Sequence, residues 1–353
     1  MVFLMNLDDH KNFNQIDKSN MLREIKNLPD QLEQAWISSE KYPLPRQQNY
    51  KHIIISGMGG SAIGADILLS YIKDLSPIPL TIVRGYELPA WALNEQVLVI
   101  CSSHSGNTEE TISVLNQANK NKCTTVSIST GGQLYEINKA HGGIAWRFNH
   151  VGQPRTAVGY SFGILMNLFY RMGWIKDPLD SLKKTVKEMK ALEIKINDSI
   201  PANQNIAKRL AGQAIDRFPI IFSAGHLEPI GRRWKTQINE LSKSISGFEF
   251  IPEADHNTLA GLINPDSSQH KFYTIFLDSD YYLPQNKKRI QLTATEFMVA
   301  GFCTDIVKTE SSNILSEIWN LILLGDFVSY YLAMAYEVDP TPVEALEDFK
   351  RAL

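Results

Sequence analysis

Residues 53–64, Ile-Ile-Ile-Ser-Gly-Met-Gly-Gly-Ser-Ala-Ile-Gly, constrain this chain more than any other stretch. The apolar run 53–55 reads as a buried strand. Gly57, Gly59 and Gly60 then permit a tight turn and close backbone approach to a ligand. Ser61 follows, and residues 62–72 read as a helix. A strand, a glycine turn and a helix start in that order aim backbone N–H groups at an anion, and the Ser61 hydroxyl adds a donor. The glycines alone are not diagnostic. The run has neither the Gly-Lys-Ser/Thr of a Walker loop nor the spacing of a dinucleotide fingerprint. A plain strand–helix turn stays open at this point beside a phosphate-like ligand.

The same grammar repeats along the chain. Residues 81–83, 96–102, 124–129 and 145–148 read as strands, and 108–119 and 160–171 as helices. Strands alternating with helices predict a parallel sheet covered on both faces, joined by right-handed crossovers. The pattern restarts with strands at 219–224, 271–277 and 304–308 and helices at 227–244, 285–300 and 314–335. The last of these is long and apolar and fits either core or a dimer surface, core being the better reading. Pro219-Ile-Ile-Phe-Ser-Ala-Gly225 echoes His52-Ile-Ile-Ile-Ser-Gly57, so two related open-sheet domains are the simplest reading. The expected fold class is therefore α/β, with two flavodoxin-like three-layer αβα domains plus N- and C-terminal helices. The expected parts are a helical extension at 1–45, a phosphate-binding domain at 46–175, a helical bridge at 176–215, a second domain at 216–338 and a final helix at 339–353. Ligands in such sheets sit outside the carboxyl ends of the strands.

Composition removes several function classes. A chain of 353 residues suits about two domains. Charged residues make up 21% of it, the net charge is −3 and no basic cluster stands out, so no nucleic-acid surface is expected. Cys101, Cys123 and Cys303 are odd in number and lack metal spacing. They fit reduced thiols in a cytoplasmic protein. No basic segment precedes an apolar core at the N-terminus, and no run is expected to reach the roughly 20 apolar residues of a membrane span. No His, Asp and Glu cluster has ligand spacing, so neither a metal nor another cofactor is expected.

The second informative stretch is Cys101-Ser-Ser-His-Ser-Gly-Asn-Thr-Glu-Glu110, between a strand and a helix. Ser103, Ser105 and Thr108 offer three hydroxyls, and Gly106 lets the loop fold tightly. Hydroxyls with helix N–H groups suit a phosphate without Lys, Arg or metal. The ordinary alternative is a Ser/Thr cap ahead of Glu109 and Glu110.

Gly57-Met-Gly-Gly-Ser61 followed by Ser103-His-Ser-Gly-Asn-Thr108 resembles the sugar isomerase (SIS) domain, which binds phosphorylated sugars. Further stretches resemble the bifunctional phosphoglucose/phosphomannose isomerase family. They are Gln153-Pro-Arg-Thr-Ala-Val-Gly-Tyr-Ser-Phe162, Arg233-Trp-Lys-Thr-Gln-Ile-Asn-Glu-Leu-Ser-Lys243, Pro252-Glu-Ala-Asp-His-Asn257, and Leu323 to Leu332 with Val338-Asp-Pro340. The similarity runs over residues 50–353.

The resemblance implies two SIS-type domains and an aldose–ketose isomerase. Its reaction would interconvert glucose 6-phosphate, and mannose 6-phosphate, with fructose 6-phosphate through a cis-enediolate. It implies that Gly60, Ser61, Ser103, Ser105 and Thr108 grip the phosphate. His256, with Lys350, would open the sugar ring, Glu240 would shuttle the proton, and Arg155 would hold the enediolate charge. It also implies a homodimer in which His256 is donated across the interface. Two departures stand out: the family's Asn-Glu-Asn-Ser is Asn239-Glu240-Leu241-Ser242 here, and its Asn-His-Asn is Asp255-His256-Asn257. Neither removes a proposed catalytic group. His104 falls at the variable position of the family motif.

Each residue also has a plain reading. A loop Arg such as Arg155 is ordinarily a solvated charge. On the helix at 227–244, Trp234, Ile238, Leu241 and Ile245 form one stripe; Arg233, Gln237, Glu240 and Ser244 form another, which periodicity alone assigns to solvent. A carboxylate there is nonetheless a sensible base for moving a proton between adjacent carbons. His256 among polar neighbours fits a surface group, and Lys350 suits a helix C-terminus. At the level of function, another SIS sugar-phosphate isomerase or a non-catalytic sugar-phosphate-binding protein stays open.

Overall fold

The computed structural model describes residues 6–265 and 267–352. Three helices lead: α1 (Phe13–Ile16), α2 (Met21–Lys26) and α3 (Leu28–Ser39). The first open sheet follows as β1 (His52–Ser56), α4 (Gly59–Ile72), β2 (Leu80–Val83), β3 (Val97–Ser102), α5 (Glu109–Lys120), β4 (Thr124–Ser129), α6 (Gly132–Ala140), β5 (Ile144–Arg147) and α7 (Val158–Arg171). The second follows α8 (Leu179–Ile196) and α9 (Ile206–Ala214). It runs β6 (Phe218–Ala224), α10 (Glu228–Ser242), β7 (Gly247–Ile251), β8 (Phe272–Leu277), α11 (Pro284–Val299), β9 (Cys303–Val307) and α12 (Ile314–Ala335), with α13 (Glu344–Ala352) last.

Both sheets are wholly parallel, with orders β2-β1-β3-β4-β5 and β7-β6-β8-β9. This is the doubly wound α/β class expected from the alternation of elements. The order reverses beside β1 in the first sheet and beside β6 in the second. Open sheets bind ligands at such reversals, outside the carboxyl ends of the strands. The chain divides into two compact units. Leu28–Val186 form one; residues up to Asn27 and from Lys187 form the other.

In the unit Leu28–Val186, Ile53, Ile54 and Ile55 are fully buried, as is every residue of β3. A strand covered on both faces has no polar side to alternate with. Helix α3 packs on α7. From α3, Gln31 accepts from Gly159 N at 2.8 Å and donates to Thr156 O at 2.8 Å. One buried amide thus fixes the start of α7 and the turn before it.

In the other unit, α12 is buried along its length and packs against α9 and α10. The expectation that no run matches a membrane span is corrected here, because Ile314–Ala335 has the length and apolar content of one. It is nevertheless enclosed by protein, and its Glu317, Asn320 and Asp326 are buried with polar partners. Those partners make it a core helix. The helix expected at 227–244 is shorter, α10 being preceded by a 3-10 turn at Gly225–Leu227 and ended by Lys243 with φ +57°. Two elements were not expected: the edge strand β7 and the helix α6.

Candidate active site

In the unit Leu28–Val186, Ser56 of β1 pairs in register with Cys101 of β3. The two loops that leave these strands therefore start side by side at the sheet's reversal. Ser61 lies in the first turn of α4 and is buried. In the neighbouring loop, Ser103 Oγ and Thr108 Oγ1 are 2.8 Å apart, and Ser103 Oγ also accepts from Gly106 N at 3.1 Å. Ser105 is exposed, and its Oγ accepts from Asn107 N at 3.2 Å. Thr108 sits at the N-cap of α5 without a side-chain capping bond, so its hydroxyl is directed to Ser103 rather than to the helix.

Arg155 lies in the 3-10 turn Pro154–Thr156 and is only 6% exposed, so it is no solvated surface charge. Its Nη1 donates to Gln153 Oε1 at 3.4 Å. Gly60 allows this turn to sit against the start of α4: a Cβ there would lie 2.4 Å from Pro154 O and 3.2 Å from Arg155 N. Gly60, Ser61, Ser103, Ser105, Thr108 and Arg155 thus belong to three adjoining segments of one unit. Burial, and then His150, push the His104 ring down to about 4, so this loop holds a neutral imidazole at neutral pH.

In the other unit, the polar stripe of α10 is not a solvent face. Arg233 Nη2 donates to Asp326 Oδ2 at 2.7 Å, and Gln237 Nε2 donates to Asp326 Oδ1 at 3.0 Å. Arg233 is 2% exposed. Burial pushes the Asp326 carboxyl up, while Arg233 and Gln237 pull the other way. Glu240 lies three residues beyond Gln237, half-buried, near the end of α10. Lys243 Nζ donates to Glu240 O at 2.7 Å. Ser244, the last residue of the expected stripe, falls outside the helix.

His256 closes the 3-10 turn Glu253–His256 and is exposed. The turn is anchored by its neighbour. Asp255 accepts from Arg289 Nη1 at 2.8 Å and from Thr293 Oγ1 at 2.7 Å, both on α11. Lys350 falls in α13, and its side chain lies outside the described residues.

The second sheet's reversal holds a cluster that sequence reasoning missed. His226 Nε2 and Ser279 Oγ both lie 2.7 Å from Glu317 Oε2, and Glu317 is buried. His226 follows β6 and Ser279 follows β8, so a carboxylate of the chain itself sits at this reversal. No spacing in the sequence links these three residues. Among the described residues, no group of three or more His, Cys, Asp or Glu is placed to hold a metal ion.

Paired parallel sheets, with a strand–glycine–helix turn and a hydroxyl loop at one reversal, define an SIS-domain protein. Residues 48–134 match the SIS domain family, and residues 203–353 match the bacterial phospho-glucose isomerase C-terminal SIS domain. The chain is 35% identical to the bifunctional phosphoglucose/phosphomannose isomerase of Caldicellulosiruptor bescii, over 94% of this chain and 98% of that protein. It is 32% identical to the protein so named in Aquifex aeolicus, over 86% and 91%. A crystal structure of a glucose-6-phosphate isomerase like protein from Thermus thermophilus superposes with a TM-score of 0.66 at 17% identity, covering 97% of this chain and all of that one. The chain belongs to the bifunctional phosphoglucose/phosphomannose isomerase family.

Proposed function

We propose that this protein is an aldose–ketose isomerase that interconverts glucose 6-phosphate and mannose 6-phosphate with fructose 6-phosphate. The observation that carries the reading is the hydroxyl loop Ser103–Thr108 at the reversal of the first sheet, adjoining Ser61 and the turn of the buried Arg155. Family membership supports it.

Gly60, Ser61, Ser103, Ser105 and Thr108 bind the phosphate, whose remote binding energy orients the reacting carbons. His256 and Lys350 open the ring: a proton reaches the ring oxygen, one leaves the anomeric hydroxyl, and the ring C–O bond breaks. Glu240 takes the proton from one of the first two carbons and returns it to the other. Arg155 stabilises the enediolate oxygen charge between the two transfers, a task suited to a cation held rigidly before reaction. His256 comes from the second subunit of a homodimer. Its exposed ring on a turn anchored through Asp255 is consistent with presentation to another chain. Three free cysteines fit a cytoplasmic setting.

The test is a set of coupled assays with glucose 6-phosphate, mannose 6-phosphate and fructose 6-phosphate as separate substrates. Turnover of all three is expected. Binding without turnover would make the protein a sugar-phosphate receptor, and activity confined to amino-sugar or pentose phosphates would move it to another SIS isomerase. The phosphate assignment has its own check. Ser105→Ala removes one charge-assisted hydrogen bond, so KM for fructose 6-phosphate rises by about tenfold with kcat changed less than about twofold. An unchanged KM would take Ser105 out of the phosphate site.

A further inference from the structure

We propose that the hydrogen bond between His104 and His150 is a tie that holds the Arg155 turn against the phosphate-binding loop, making both histidines positioning residues for the isomerisation. The inference rests on the roles given to that loop and to Arg155 above.

His104 lies between Ser103 and Ser105, and its Nε2 is 2.8 Å from His150 Nδ1. One end of the tie is fixed. The His104 carbonyl accepts from Thr130 N at 3.0 Å and from Thr130 Oγ1 at 2.8 Å, just past β4. The other end reaches the segment that enters the Arg155 turn. A Cβ on Gly152 would lie 2.9 Å from His150 Cε1 and 3.4 Å from Thr156 Oγ1, so the His150 ring and the Thr156 hydroxyl of the turn both flank Gly152. Aromatic rings hold the pair in place. His104 meets Phe148 edge-on at 6.0 Å, His150 meets Tyr160 at 5.8 Å, and Phe148 stacks on Tyr160 at 5.2 Å.

The tie acts on the approach to the turn, where Val151 beside His150 is 96% exposed; the turn itself is also held from α3, where Gln31 donates to Thr156 O. A neutral His104 ring also suits the bond, because two protonated rings would present a hydrogen on both nitrogens and neither could accept. Losing the tie lets the Arg155 turn shift while Ser61, Ser103 and Ser105 keep their own backbone. The effect then falls on the step that Arg155 serves rather than on the phosphate grip. Displacement of a positioned group by about 1 Å is enough to slow a reaction by up to about 10²-fold.

The experiment compares His150→Leu, which cannot form the bond, with His150→Gln, whose amide keeps a donor and an acceptor. The Leu variant is expected to lose about tenfold in kcat with KM for fructose 6-phosphate within about twofold, and Gln to recover most of the loss. Arg155→Leu combined with His150→Leu should lose little more than Arg155→Leu alone, because both act through one group. A KM effect in place of a kcat effect, equal losses in Gln and Leu, or additive losses would overturn the tie. Amide hydrogen exchange at Thr156 and Ala157, whose N–H groups bond to Gln153 O and Pro154 O, reports the turn without using activity. It should quicken in His150→Leu and not in His150→Gln, and unchanged exchange in the Leu variant also overturns the tie. A wild-type protein without turnover, or an Arg155→Leu variant at full rate, would instead refute the functional reading, and the exchange result would still decide the tie. His104→Gln repeats the comparison from the other ring if His150→Leu does not fold.

Discussion

Glu240→Gln is expected to lower kcat by about 10²-fold or more and to leave KM for fructose 6-phosphate nearly unchanged. The amide keeps the size of the side chain and loses the ability to take a proton from carbon. The fold should tolerate it, because the polar pair that secures α10 lies earlier on the helix, where Arg233 and Gln237 bond to Asp326. The phosphate is proposed to be gripped by other residues, so ground-state binding should survive. Initial rates in a coupled assay, with circular dichroism to confirm folding, decide the matter; a Gln variant at the wild-type rate would end the assignment of Glu240 as base. The same variant tests donation across a dimer. Glu240→Gln and His256→Ala are each expected to have strongly reduced activity alone. In a heterodimer of the two variants, donation across the interface would leave one of two sites with both an intact Glu240 and an intact His256, and sites built within one chain would leave none. Recovery of activity on co-expression supports donation from the partner, and its absence shows that both groups serve their own chain's site.

The parts of this molecule that were legible in its sequence are those whose causes are local. β1 and β3 are buried on both faces, and a continuous apolar run announces that directly. The glycine turn and the hydroxyl loop are short motifs set next to such strands. β7 was missed because Gly-Phe-Glu-Phe-Ile is a half-buried edge strand whose alternation is brief. α6 was missed because it starts at Gly132 after Gly131 and buries only Leu134 and Asn138. Part of what starts it is remote, since Asn107 Oδ1 accepts from Gln133 N at 3.0 Å. The polar stripe on α10 shows the limit most clearly. Periodicity assigns Arg233 and Gln237 to water, yet their partner Asp326 lies on α12, 93 residues beyond Arg233. The same holds for Glu317, whose bond to His226 spans 91 residues. Burial of a charge is decided by what stands opposite it, and helical spacing carries no record of that.

Gly106→Ala is expected to destabilise the protein by about 3–4 kcal/mol, combining a left-handed backbone with a steric wedge. Gly106 has φ +72°, and a Cβ there would lie 1.8 Å from Gly131 O and 2.8 Å from Gly131 C. Both are backbone atoms, so no side-chain rotation relieves the overlap. Movement is opposed from two sides. Gly106 O accepts from Leu134 N at 2.8 Å, and Leu134 is part of the buried core around Val99 and Val114. Gly106 N donates to Ser103 Oγ, so displacing it also disturbs the hydroxyls proposed to hold the phosphate. Gly142→Ala is the control: φ is +77° there, with no heavy atom within 4 Å of the added carbon. That variant should lose only about 1 kcal/mol, and the difference in urea unfolding between the two measures the wedge. Weaker binding of fructose 6-phosphate should accompany the loss at Gly106 and not the loss at Gly142. Equal stabilities for the two variants would mean that the hydroxyl loop is not pressed under Gly131, and the placement of Ser103, Ser105 and Thr108 would fall with it.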